Sequence, residues 1–218
     1  MFKLIHTISE NFLSFLFPAR CLGCKNPGEL ICTACLASSR RKAREKTTLP
    51  FLDKFYYHGF YQNDLLREAL KRFKYHGTKG LSRPFAIVLH ELLRPYLASL
   101  SENAVVVPVP SSPERARERG YNQAELLAKN LSEKISRPCL AEALLKTKNT
   151  PSQTGLSDAE RIFNVKNSFA VAKPEAVAGR TVILVDDIST TGATLSETAR
   201  VLKQAGAKEI IGLAVAKG

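Results

Sequence analysis

The chain has 218 residues, 44% of them hydrophobic and 24% charged, which suits one ordinary globular domain with a small appendage. Its 32 Lys and Arg exceed its 20 Asp and Glu, giving a net charge of +12, with +8 over residues 1–102 and +4 over 103–218. That balance favours a polyanionic partner, nucleic acid or an anionic membrane surface, while the lack of a membrane-length apolar run excludes a helical membrane-spanning protein.

Phe2, Leu4, Ile5, Ile8, Phe12, Leu13, Phe15 and Leu16 follow a mostly helical period. They predict an amphipathic helix, docked on the following domain or laid against a partner or membrane surface. Only Lys3 and His6 offer cations on its polar face. Ser9-Glu10-Asn11 interrupts any signal-peptide core, so a reducing cytosol is expected, where paired cysteines mean metal or redox chemistry before disulfides.

Two such pairs follow, Cys21-Leu22-Gly23-Cys24 and Cys32-Thr33-Ala34-Cys35. A two-residue spacer lets both thiolates of a pair reach one metal from a tight knuckle, with Gly23 expected at positive φ. Four thiolates complete a closed tetrahedral shell, which favours a structural Zn²⁺ over a redox pair or a catalytic metal. Cys139 stands alone and reads as a small buried hydrophobe. The basic run 40–46 reads as a linker between an N-terminal unit (1–46) and a main domain (47–218). It serves as a solvated connector or as a contact to phosphates.

Phe55–Tyr61 predicts a strand, followed by a helix capped at Asn63 or Asp64 and running to about Tyr75. Arg67, Lys71 and Lys74 fall at i, i+4 and i+7 on that helix, with Phe73, Tyr75 and His76 interleaved. The stripe is either a solvated face over a core of Leu65, Leu66, Ala69, Leu70 and Phe73, or a surface holding single-stranded nucleic acid by phosphate contacts and base stacking on Tyr75. A second amphipathic helix is expected over 81–99. Ala104–Val109 predicts another buried strand, leading into a loop where Arg115, Arg117 and Arg119 alternate before Gly120. Guanidinium forks match oxyanions, so this loop suits a diphosphate or a nucleic-acid backbone. Asn122 starts a helix ending near Ser136. Residues 146–161 predict a basic loop closing on the capping box Ser157-x-x-Glu160, as a lid or an ordinary crossover. Ser168–Val171 and Glu209–Val215 complete the strands.

Between those two strands lies the stretch around which the chain is organised. Val182–Val185 form a short, mostly β-branched run, ended by Asp186 and Asp187 and followed by Ile188, Ser189, Thr190, Thr191, Gly192, Ala193 and Thr194. Leu195–Ala205 has helical spacing. A strand, an acidic pair, a hydroxyl-rich turn and a helix make a phosphate cradle: backbone N–H groups and hydroxyls face an anion, and Gly192 permits close approach. The carboxylates suit sugar hydroxyls or a hydrated Mg²⁺. A helix cap alone needs one such residue, and this turn offers several.

All thirteen positions, 182–194, resemble the phosphoribosyl pyrophosphate (PRPP) loop of type I phosphoribosyltransferases. The resemblance implies that Asp186 and Asp187 hold ribose hydroxyls or Mg²⁺, and that Ser189 to Thr194 wrap the 5′-phosphate of PRPP or a nucleotide monophosphate. Together with the Cys21–Cys35 knuckles, Lys74-Tyr75 with Gly77, Val107-Pro108-Val109-Pro110, Arg119–Ala124, and Gln153-x-Gly155-Leu156-Ser157 with Arg161 and Asn164, the chain resembles the ComF (ComFC) family of bacterial competence proteins. Ser111-Ser112 departs from the bulkier residue and His that relatives more often carry. The implied fold is α/β: a type I phosphoribosyltransferase-like open, mostly parallel sheet with helices on both faces, preceded by a small N-terminal zinc knuckle or ribbon. The implied role is DNA uptake in natural transformation, with single-stranded DNA and Mg²⁺-PRPP as ligands. The implied location is cytoplasmic, or peripheral at the inner membrane beside the uptake machinery. An active phosphoribosyltransferase acting on a nucleobase or related acceptor is the alternative.

Overall fold

The structure, a computed structural model, describes residues 18–40, 48–148 and 157–218. The apolar segment over 2–16, the linker residues 41–46 and the middle of the 146–161 loop lie outside the described residues.

Four parallel strands form the main sheet in the order β1-β6-β5-β2, where β1 is Lys54–Phe60, β2 Val105–Pro108, β5 Thr181–Ser189 and β6 Glu209–Lys217. Parallel strands are buried on both faces, which is why β5 reads as a continuous apolar run rather than an alternating one. Its residues nevertheless divide by face. Val182 and Leu184 pack with Leu195, Ala199 and Leu202 of helix α7 (Ala193–Gln204). Ile183 and Val185 pack on the other face with α2 (Asp64–Tyr75), α3 (Ser82–Leu93) and α5 (Gln123–Ile135). The expected open sheet with helices on both faces is therefore present.

Local chemistry explains the boundaries. The Asn63 side chain accepts the Leu66 N–H at 3.1 Å and so starts α2. The second helix is α-helical only to Leu93 and continues as a 3₁₀ turn over Arg94–Ser99. Pro95 has no N–H to give to the α-ladder. Residues 113–119 form a helix, α4 (Pro113–Arg119), instead of the expected loop. Ser112 caps it, Pro113 occupies its first turn, and Gly120 ends it at φ 74°. Phe169–Val171 (β4) stays out of the main sheet and pairs antiparallel with Leu144–Lys146 (β3). Helix α6 (Asp158–Val165) opens with the anticipated capping box between Ser157 and Glu160.

The cysteine-bearing segment is welded to this domain. Ile31 and Leu36, the latter on the short helix α1 (Thr33–Ser38), are buried in the same apolar cluster as α2 and α3. Buried His58 on β1 places Nε2 3.0 Å from the Leu36 carbonyl oxygen and 3.1 Å from the Ser39 hydroxyl. Burial holds its pKa below the ordinary histidine value.

Candidate functional site

The carboxyl ends of β2 and β5 open into one cleft of about 370 Å³. Ligands of open α/β sheets bind at this edge. Among its lining residues are six cationic side chains, Lys71, Lys74, Arg115, Arg119, Lys146 and Arg161, against two carboxylates, Asp186 and Asp187. An anionic ligand fits that imbalance, with the acidic pair kept for neutral hydroxyls or a cation.

The acidic pair is fixed by its own backbone. The Asp187 N–H donates to Asp186 Oδ1 at 2.8 Å, and the Ile188 N–H donates to Asp187 Oδ1 at 2.7 Å. Lys74 Nζ reaches the same carboxylate, 3.3 Å from Oδ1 and 3.2 Å from Oδ2. Burial, followed by the neighbouring Asp187 charge, pushes Asp186 up to about 8. Burial works against the charge of Lys74, but Asp187 and Asp186 outweigh it and hold its pKa above the ordinary lysine value. Lys146 shows the opposite balance: burial, with Arg115 nearby, lowers it to about 8.

The turn after the pair keeps its donors available. Among the described residues the N–H groups of Thr190, Thr191 and Gly192 make no hydrogen bond, while Thr191 Oγ1 accepts the Ala193 N–H at 3.2 Å. Gly192 has φ 82°, and a Cβ there would meet Leu49 Cδ2 at 2.4 Å. The glycine is thus needed twice, for a left-handed backbone and for the close passage of Leu49.

The structure sorts the basic residues. Arg115 and Arg119, one helical turn apart on α4, both line the cleft, and Arg117 on the intervening face is exposed and does not. Arg119 Nη1 donates to Gln123 Oε1 at 3.2 Å, and its guanidinium lies 5.2 Å over the Tyr75 ring. Lys71 and Tyr75 stand on the cleft rim, with Tyr75 65% exposed. Arg67 pairs with Asp64, and Lys74 points inward to Asp187. Sequence reasoning placed Gln123 in the Arg119–Ala124 motif without giving it a role; among the described residues its buried Nε2 has no hydrogen-bond partner at the cleft wall. Nor did it assign a role to Tyr121, whose hydroxyl donates to the Phe73 carbonyl oxygen and ties the end of α2 to the start of α5. Helical periodicity around Asn122 gave no signal for either contact.

The second site is the cysteine cluster. One sulfur each from Cys21, Cys24, Cys32 and Cys35 lies within 4.8 Å of all the others, and Cys24 Sγ is 3.7 Å from Cys32 Sγ. A tetrahedron of thiolates about 2.3 Å from a zinc ion has edges of about 3.8 Å, so the donor set fits a structural Zn²⁺. Gly23 is needed here for space and not for positive φ: a Cβ would fall 2.7 Å from Cys35 Sγ. The left-handed residue of this turn is Lys25, at φ 66°. Cys139 is half-buried, and burial pushes its thiol pKa up, away from nucleophilic use.

The phosphoribosyl transferase domain family matches residues 117–217, the segment from α4 through β6. Competence protein F of Haemophilus influenzae is 38% identical over 147 residues, covering 65% of this chain and 63% of that protein. Competence protein ComFC of Bacillus subtilis is 35% identical over 147 residues, 66% of this chain and 56% of that protein. The DNA utilization protein YhgH of Escherichia coli is 38% identical over 105 residues, 48% of this chain and 45% of that protein. The match thus spans about half to just under two thirds of the length of these relatives. With a phosphoribosyltransferase-like sheet carrying a four-cysteine knuckle, the chain is similar to competence protein F and ComFC over about two thirds of its own length.

Proposed function

We propose that this protein handles incoming single-stranded DNA in a competence pathway, and that its cleft binds PRPP or a nucleotide monophosphate. The observation that carries the reading is convergence. The hydroxyl-rich turn, the acidic pair, two arginines of α4 and the basic, aromatic end of α2 all meet in one cleft. The turn Ser189–Thr194 takes the 5′-phosphate, and Asp186 and Asp187 take the ribose hydroxyls. Arg115 and Arg119 face a diphosphate. Lys71 and Tyr75 on the rim take the phosphates and bases of a strand, as basic grooves with exposed aromatics do. The names of the relatives, competence and DNA utilization proteins, support the cellular role. The fit of the four cysteines supports a structural zinc in the knuckle. Mg²⁺ accompanies PRPP when that is the ligand, coordinated through its diphosphate oxygens.

No described helix is long and apolar enough to cross a membrane, so contact with uptake machinery at the inner membrane is proposed as peripheral. The match to a phosphoribosyl transferase domain keeps a second reading in view, transfer of the phosphoribosyl group to a base with release of diphosphate. One experiment separates them. Calorimetric titration with PRPP, with and without an oligonucleotide, is run beside an assay for diphosphate. Binding without diphosphate release supports the DNA-handling reading. Release that depends on an added base supports the transferase. No heat with PRPP or any nucleotide overturns the cleft assignment.

A further inference from the structure

The carboxylate pair that a sugar-phosphate ligand would use is already engaged by a cation of the chain itself. Lys74 Nζ lies within 3.3 Å of both oxygens of Asp187, and among the described residues Oδ2 of that carboxylate has no polar partner besides this ammonium. Asp187 is almost fully buried, with 7% of its side chain exposed, and Lys74 is at 24%. The ammonium is not on a loose tether. It extends from the last turn of α2, next to Phe73, whose ring is buried and whose carbonyl oxygen accepts the Tyr121 hydroxyl.

A divalent ion coordinated by Asp187 would sit about 2.1 Å from its oxygens, in the space the ammonium occupies. Two cations that close repel strongly in a partly desolvated cleft, so metal and lysine exclude one another. Oδ1 of each carboxylate is also already used by a backbone N–H. The surrounding wall is cationic without any metal, because Arg115, Arg119 and Lys146 face the same space.

We propose that Lys74 stands in for a protein-bound divalent cation at the acidic pair, so that the ribose 5-phosphate portion of the ligand binds without metal. This rests on the sugar-phosphate reading above. Metal enters only as a partner of the diphosphate, when the ligand is PRPP.

The test uses two probes on the full chain: Mn²⁺ alone, followed by electron paramagnetic resonance, and ribose 5-phosphate, followed by calorimetry in chelator or in Mg²⁺. Native protein should take up Mn²⁺ weakly, and Lys74→Met should bind it at least about tenfold more tightly, as the bared carboxylates become available. Native protein should bind ribose 5-phosphate equally in chelator and in Mg²⁺, whereas Lys74→Met should bind it only with metal. Lys74→Gln serves where the methionine variant is poorly folded, and Lys74→Arg, which keeps the charge, should behave like native protein. Equal Mn²⁺ affinity in native protein and Lys74→Met overturns the proposal. So does native binding of ribose 5-phosphate that chelator abolishes. If ribose 5-phosphate binds to no variant under either condition, the sugar-phosphate reading falls, and the Mn²⁺ comparison still decides the role of Lys74.

Discussion

The ammonium of Lys74, at the end of the second helix, lies 3.2 Å from Oδ2 of Asp187, which is 113 residues further along the chain. This ion pair fastens the helix that carries the rim residues Lys71 and Tyr75 to the strand that carries the acidic pair. Removing either partner alone leaves an uncompensated charge in a largely buried place. A double-mutant cycle of Lys74→Met and Asp187→Asn in urea should give a coupling of about 1 kcal/mol, reduced from the fully buried range because Lys74 retains contact with water. A coupling near zero would mean the pair is only a geometric coincidence.

Stability should vary with pH through Asp186. Burial, with the Asp187 charge beside it, raises its pKa to about 8, well above the ordinary carboxylate range, so the folded protein keeps a proton that the unfolded chain loses. Stability is therefore full below about pH 4 as far as this group is concerned, and declines as pH rises through the folded value. Asp186→Asn removes the penalty. The variant should melt higher than native protein at pH 8, and the gain should shrink at pH 5. Thermal melts across that range check it, and a gain independent of pH would assign the effect to packing.

For the zinc knuckle, Gly23→Ala is more informative than loss of a ligand, because all four thiols remain. The added methyl falls 2.7 Å from Cys35 Sγ, so the variant should release zinc to a chelator faster than native protein. Elemental analysis of native protein should find one zinc per chain. Because Ile31 and Leu36 share the core of the main domain, zinc removal should also lower the melting temperature of the whole molecule. An unchanged melt after chelation would show the knuckle to be a passenger.

Single-stranded DNA binding should fall steeply with salt. Lys71→Gln should lower the salt slope by about one unit, as expected for one lost phosphate contact. Tyr75→Ala should weaken binding by roughly 1–3 kcal/mol without changing the slope, if a base stacks on the exposed ring. Filter binding over a salt series reads both quantities. Salt-independent binding would remove the rim of the cleft as the strand site.

Elements set by local chemistry were legible before the fold was known. The run Val182–Val185, the Asn63 cap, the Ser157–Glu160 box and the paired cysteines each announce themselves within a few residues. What depends on distant partners was not. The i, i+4, i+7 spacing puts Arg67, Lys71 and Lys74 on one stripe, but only the approach of β5 shows that Lys74 turns inward. Phe169–Val171 is too short to declare its partner, and it pairs with a three-residue strand equally short. Alternating arginines suggested an extended loop, yet the Ser112 cap and Pro113 wind them into a helix that separates Arg117 from the other two. The requirement for Gly23 was legible, and its reason was not: the neighbour that forbids a side chain is twelve residues away.

The order β1-β6-β5-β2 has a consequence for how the molecule is made. Among the described residues the earliest strand of the sheet pairs with the latest one alone, and the Ile210 N–H bonds Asp53 across 157 residues. At a ribosome adding about 5–20 residues per second, β1 waits roughly 8–30 s for its partner to be synthesised. During that interval the apolar faces of Phe55 and Tyr57 lack the β6 partner that completes their packing, which leaves newborn chains open to aggregation. Folding after release should be slow for a protein of this size, since the decisive pairing closes the longest loop in the sheet.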